Sequence, residues 1–154
     1  MAYLGVRLKG SRLSRHLIVR QCSEPGGATL SREMRVLLVE DEPMIALLFE
    51  DALFDAGFDA VVAADGSFAF DILKNEPLSF DGLITDIRMP GIINGWDVAR
   101  KFRELNPAAA VVYMTGDSMT DWRDHGVERS VLHHKPVPVD EVLGSLTQLL
   151  RDGA

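Results

Sequence analysis

The chain has 154 residues, 47% of them hydrophobic and 25% charged, enough for one ordinary domain with a real core. Its net charge of −7 is unevenly spread: residues 1–33 carry six Lys/Arg against Glu24 and Glu33, a net of +4, and the remainder carries 10 basic and 21 acidic residues, a net of −11. The acidic body argues against general nucleic-acid binding, no apolar run approaches the ~18 to 20 residues that span a bilayer, and the single cysteine, Cys22, excludes an internal disulfide, so the cytoplasm is the expected location.

Residues 1–33 do not match the rest. They contain Glu24-Pro-Gly-Gly-Ala28 and no sustained period, and Leu17-Ile-Val19 is too short for a signal-peptide core. The expectation is a disordered leader, or a stretch added by a start codon assigned too far upstream, followed by one domain over 34–154.

From Met34 onward, short apolar runs alternate with amphipathic stretches. Arg35-Val-Leu-Leu-Val39 has strand length and is continuously apolar. Residues 43–56 follow, with Ile45, Leu48, Phe49, Ala52 and Leu53 on one helical stripe, Pro43 in the first turn and Gly57 as the stop. Ala60–Ala63 predicts a second strand. Phe68, Ala69, Ile72 and Leu73 predict a shorter helix, closed by 75–77. Gly82–Thr85 predicts a third strand. After a Pro- and Gly-rich loop, Val98, Ala99, Phe102 and Leu105 predict a helix that Asn106-Pro107 ends. Ala109–Met114 predicts a fourth strand, and residues 118–125 a weak, polar helix. Ser130–His133 predicts a fifth strand. The last stripe is Val139, Val142, Leu143, Leu146, Leu149 and Leu150.

Five such strands alternating with five helices predict an α/β fold: a doubly wound parallel sheet covered on both faces, because strands buried on both faces read as continuous apolar runs. The site of such a sheet lies beyond the carboxyl ends of its strands. In this sequence the first strand runs into Glu40-Asp41-Glu42, the third into Asp86, the fourth into Thr115-Gly116-Asp117 and the fifth into Lys135-Pro136. Three carboxylates (Glu40, Asp41, Asp86) at one edge repel one another unless a cation offsets them. Mg²⁺ suits such a set, since it takes oxygen ligands and needs only one or two carboxylates besides water and phosphate oxygen. An aspartate can also attack phosphorus to give an acyl phosphate, a transfer that needs little beyond positioning and charge neutralisation. Lys135 carries such a charge, and the Thr115 hydroxyl can donate to a phosphoryl oxygen.

Val39-Glu-Asp-Glu-Pro43, Asp86-Ile-Arg-Met-Pro-Gly91, Met114-Thr-Gly116 and Lys135-Pro136 together resemble the motifs of bacterial two-component response-regulator receiver domains, over Arg35 to about Leu150. The resemblance implies a flavodoxin-like, chemotaxis-regulator-like fold with strand order 2-1-3-4-5. It implies Asp86 as phosphoacceptor, Asp41 as a direct Mg²⁺ ligand, Glu40 as a mainly water-mediated one and the Arg88 carbonyl as another. It further implies Thr115 and Lys135 as phosphate contacts and a cis peptide before Pro136. The implied partners are a sensor histidine kinase or histidine phosphotransfer protein and a downstream protein target, with no nucleic acid or membrane and a homodimer left open. The expected function is that of a single-domain response regulator which signals by binding rather than as an enzyme, since little sequence follows the last helix. The alternative is a degenerate receiver acting only as a binding module. A phosphatase of the haloacid dehalogenase type needs a second Asp two residues after the first, where this chain has Arg88.

Three features depart from the pattern. The loop Pro90–Gly95 is one residue longer than usual, Val137-Pro138 follows Lys-Pro, and Leu132 stands where an aromatic is common. Leucine has no ring to swing between slots, so Ser118–Gly126, with Trp122, is the expected moving segment. Arg88 and Asp117, each two residues past a site residue, are expected to pair across the site mouth and tune the phosphorylated lifetime. His133 and His134 are adjacent on a strand, point to opposite faces and so do not chelate one ion.

Overall fold

A computed structural model describes residues 32–76, 79–117 and 121–153. Apart from Arg32 and Glu33, the expected leader lies outside the described residues, as do Ser118, Met119 and Thr120 of the expected moving segment. Ten elements alternate: β1 (Arg35–Val39), α1 (Pro43–Asp55), β2 (Asp59–Ala63), α2 (Gly66–Asn75), β3 (Gly82–Asp86), α3 (Gly95–Leu105), β4 (Ala110–Thr115), α4 (Trp122–His125), β5 (Ser130–His134) and α5 (Val139–Asp152). All strand pairs are parallel, in the order β2-β1-β3-β4-β5. Both the class and the strand order agree with the sequence reading.

Each strand serves two cores, because successive side chains leave opposite faces of a pleated sheet. Leu37, Val39, Leu83, Val111, Tyr113 and Leu132 point to one face, where Ala69, Leu73, Val98 and Phe102 of α2 and α3 cover them. Val36, Leu38, Ile84, Val112 and Met114 point to the other, against Phe49 and Leu53 of α1 and Val142 and Leu146 of α5. Charged groups therefore gather at the ends of the sheet, and the buried Thr85 hydroxyl within β3 is satisfied by donating to the Asp86 carbonyl at 2.8 Å.

Local chemistry sets the helix starts. Pro43 opens α1, where its missing N–H costs nothing. Asp65 caps α2 by accepting from Phe68 N–H at 2.9 Å. Asn94 and Asp97 form a reciprocal capping box at the head of α3. Gly57, with φ +88°, turns the chain after α1.

Two expected core positions are corrected. Leu48 is 57% exposed and Phe68 is 45% exposed. On α1 the buried positions are Ala46, Phe49 and Leu53, so the covered stripe is centred one residue away from the one the large side chains suggest. On α2 they are Gly66, Ala69 and Leu73; Phe68, at the N-terminal end of the helix, lies outside the line along which the helix meets the sheet. Among the described residues, no helix is long and apolar enough to cross a membrane.

The correction has a measurable consequence. Phe49→Ala is expected to lower stability by about 3–5 kcal/mol, the usual cost of emptying a core aromatic site. Leu48→Glu should stay within about 0.5 kcal/mol of wild type, as exposed positions do. Urea melts of the two variants check the order; equal losses would restore Leu48 to the core.

Candidate functional site

The strand ends bring the expected residues together. Glu40 follows β1 and is 1% exposed, Asp86 ends β3 at 7%, and Thr115 ends β4 at 3%. Carboxylate oxygens of Glu40, Asp41 and Asp86 all lie within 4.8 Å of one another. Lys135, just past β5, sends its ammonium among them, donating to Asp86 Oδ2 at 2.9 Å and to Glu40 Oε2 at 3.0 Å. The Lys135 backbone N–H donates to the Thr115 carbonyl at 2.7 Å, which fixes where the side chain starts. The Lys135–Pro136 peptide is cis, as the resemblance implies.

Burial pushes the Glu40 carboxyl above its usual range; the Glu42 N–H, which donates to Glu40 Oε1 at 3.1 Å, and Lys135 offset part of this, and the neighbouring Asp86 charge adds a smaller push upward. Desolvation thus weighs more on Glu40 than the like-charge repulsion that the sequence suggests. Burial also works against the Lys135 ammonium, but hydrogen bonds to Asp86 and Glu40 outweigh it and hold its pKa above the usual lysine value. The donor set, oxygen only with a single ammonium among three carboxylates, fits a hard divalent cation such as Mg²⁺.

Thr115 Oγ1 accepts from the Asp117 N–H at 3.1 Å, which leaves its own proton for an outside acceptor. Arg88 and Asp117 pair at 2.5 Å as expected, with 75% and 49% of their side chains exposed. Leu132 is buried in the core. His133 meets Ser145 of α5 at 2.9 Å and His134 is exposed.

Some residues that build the site are not legible as such in the sequence. Gly95, which ends the longer loop, is buried, and a Cβ on it would collide with the Asp86 carbonyl oxygen and stand 2.7 Å from Ile87 Cα. The head of α3 therefore presses directly on the backbone that carries Asp86, and Gly95 N–H donates to the Ile87 carbonyl at 2.8 Å. A glycine at the first position of a helix, where better helix formers abound, was the available signal. Gly66 similarly receives the longer loop, with Ile93 O where a Cβ would collide with it. The Trp96 and Tyr113 rings meet at a tilt of 55° with centroids 4.7 Å apart; no local spacing announces that contact.

The description "Response regulator receiver domain" matches residues 36–144 of the chain. The transcriptional regulatory protein TrcR of Mycobacterium tuberculosis is 35% identical over 121 residues, covering 77% of this chain and 46% of that protein. CusR of Escherichia coli strain K12, also a transcriptional regulatory protein, is 30% identical over 123 residues, covering 79% of this chain and 53% of its own length. The chain thus spans about half the length of these curated relatives. A crystal structure of a response regulator receiver protein from Sinorhizobium medicae WSM419 superposes with a TM-score of 0.76 at 34% identity, covering 80% of this chain and 98% of that one. Receiver domains are signalling modules of two-component systems, bind Mg²⁺ at an acidic site, and interact with histidine kinases and phosphotransfer proteins. With the strand order, the acidic edge and these matches in agreement, the chain belongs to the response-regulator receiver-domain family.

Proposed function

We propose that this chain is a phosphorylatable switch in which Asp86 accepts a phosphoryl group from a phosphohistidine on a sensor kinase or phosphotransfer protein and passes the signal on by protein–protein contact. The observation that carries the reading is the Lys135 ammonium held on Asp86 and Glu40 with Asp41 beside them. An Asp86 carboxylate oxygen attacks phosphorus, a P–O bond forms, and the P–N bond to the donor imidazole breaks, its electron pair leaving with that ring. Lys135 neutralises charge on the transferred group, and the Thr115 hydroxyl donates to one of its oxygens. Asp41, Glu40, Asp86 and the Arg88 carbonyl would hold Mg²⁺, which when bound supplies further neutralisation of the phosphoryl oxygens.

Incubation with acetyl phosphate and Mg²⁺ should add one phosphoryl group by intact mass, and Asp86→Asn should add none. Asp41→Ala should also fail to label and should lose the Mg²⁺-induced rise in melting temperature. Without metal, relief of carboxylate repulsion should make that variant melt above wild type. An intact Mg²⁺ response in Asp41→Ala would remove that residue from the ligand set. Binding of a phosphate analogue without any covalent adduct would favour a degenerate receiver.

Arg88 and Asp117 flank the route by which water reaches an acyl phosphate on Asp86. Their exposed pair adds only ~0 to 1 kcal/mol of stability, so its effect falls on water access. Replacing both with Ala is expected to change the decay rate of the phosphorylated protein several-fold with an unchanged melt. Matching decay rates would dismiss the pair as a lifetime control.

Residues 1–33 are proposed to be dispensable for this chemistry, because the α/β pattern is complete from Arg35. A chain beginning at Met34 should melt cooperatively and label as the full chain does; loss of either property would make the leader part of the domain.

A further inference from the structure

A cavity of about 260 Å³ lies against Thr115, with Ile87, Trp96, Asn94, Arg88 and Asp117 among its walls. Liquid water occupies ~30 Å³ per molecule, so a space of this size has room for a side chain to move into. Trp96 is half-buried at its edge. From Trp96 an unbroken set of contacts leads away from the site. Its ring meets that of Tyr113 at a tilt of 55° with centroids 4.7 Å apart and lies 6.0 Å from the His125 ring. Tyr113 is fully buried, and its phenol oxygen accepts from the Val127 backbone N–H at 3.2 Å. The Val127 carbonyl accepts from the Ser130 hydroxyl at 2.6 Å, and Ser130 Oγ accepts from Trp122 Nε1–H at 3.2 Å. Leu132, on the same face, is packed in the core and has no polar atom to join this set.

We propose that Trp96 is the positioning residue that couples Thr115 to the segment 122–130, so that the indole follows Thr115 into or out of the cavity and Tyr113 transmits the change to Val127. The proposal rests on the reading of Asp86 as phosphoacceptor and Thr115 as its phosphate contact. When Thr115 turns toward a phosphoryl oxygen, one wall of the cavity moves. The indole, with the cavity on one side and the tilted Tyr113 ring on the other, is the large side chain able to respond. Any shift of Trp96 alters its contact with Tyr113, whose phenol oxygen is what tethers Val127. The switch thus uses an aromatic pair on α3 and β4 in place of one on β5. Coupling of this kind is reciprocal, so loosening the tether must also change the affinity for a phosphate analogue.

In a Trp122→Phe background Trp96 is the sole tryptophan. Adding Mg²⁺ and beryllofluoride should shift its emission and alter its quenching by acrylamide. In the otherwise wild-type chain, hydrogen exchange read by mass spectrometry should change across 127–130 on adding the same analogue. Tyr113→Phe keeps the ring and deletes the tether. It should retain the Trp96 response, lose the analogue-dependent exchange change at 127–130, and bind beryllofluoride with altered affinity. A purely structural tyrosine would raise exchange equally with and without the analogue. Flat Trp96 emission in a protein that labels with acetyl phosphate overturns the proposal and leaves the phosphoacceptor reading standing. Persistence of the exchange change in Tyr113→Phe also overturns it. Absence of any acetyl phosphate adduct sinks both.

Discussion

The ammonium of Lys135 is the group on which the organisation of this edge depends. It joins the ends of β1, β3 and β5 by donating to Glu40 and Asp86 at 3.0 and 2.9 Å, with Glu40 wholly buried and the lysine itself mostly so. Taking such charges out of water is costly, and a buried pair from which one partner is removed typically destabilises by about 3–5 kcal/mol. Nature's usual remedy is full satisfaction, and it is nearly reached here. Glu40 takes both Lys135 and the Glu42 N–H. An ammonium has three N–H groups, and two are engaged among these contacts. The third is available to an incoming oxygen anion without disturbing the pairs that hold the strands together.

The same arrangement explains why the site sits where it does. Both faces of the sheet are filled by apolar side chains. The site's charged groups are then delivered at or just past the last residue of each strand, and the parallel pairing lines up those residues: Val39 beside Thr85, Asp86 beside Met114, Thr115 beside His134. One-residue slippage in any strand would exchange its two cores and move its terminal polar group as well. Packing and chemistry therefore specify the same register.

Strand positions and the acidic edge were legible in the sequence because each is a property of a contiguous, mostly apolar run that ends at polar or charged residues. Helix faces were less so. On α1 the stripe built from large residues includes Leu48, whereas the buried line runs through Ala46, whose small side chain gives a weak signal. On α2, Phe68 counts as apolar by type yet lies at the helix start, where it is 45% exposed. The balance of forces on Glu40 was also hidden. Charge proximity can be guessed from sequence, but the extent of desolvation depends on how completely the strands and helices enclose the carboxylate. Gly95 and the Trp96–Tyr113 ring pair escaped for a related reason: each is a contact between α3 and a strand, set by the approach of elements and not by spacing within one.

That approach links the two parts of the molecule that phosphoryl chemistry would have to connect. Gly95 lets the first turn of α3 lie against the backbone of Asp86 and Ile87, a fit that even one Cβ would spoil. Trp96 is the next residue on that turn and lines the cavity beside Thr115, with its ring against Tyr113. The capping box of Asn94 and Asp97 makes the turn stiff. A displacement at Asp86 and one at Thr115 therefore converge on a single rigid turn of helix. Close-packed interiors shift between discrete arrangements more readily than they deform by degrees. On the proposed reading, the first turn of α3 is where such a discrete shift would have both its input and open space beside it.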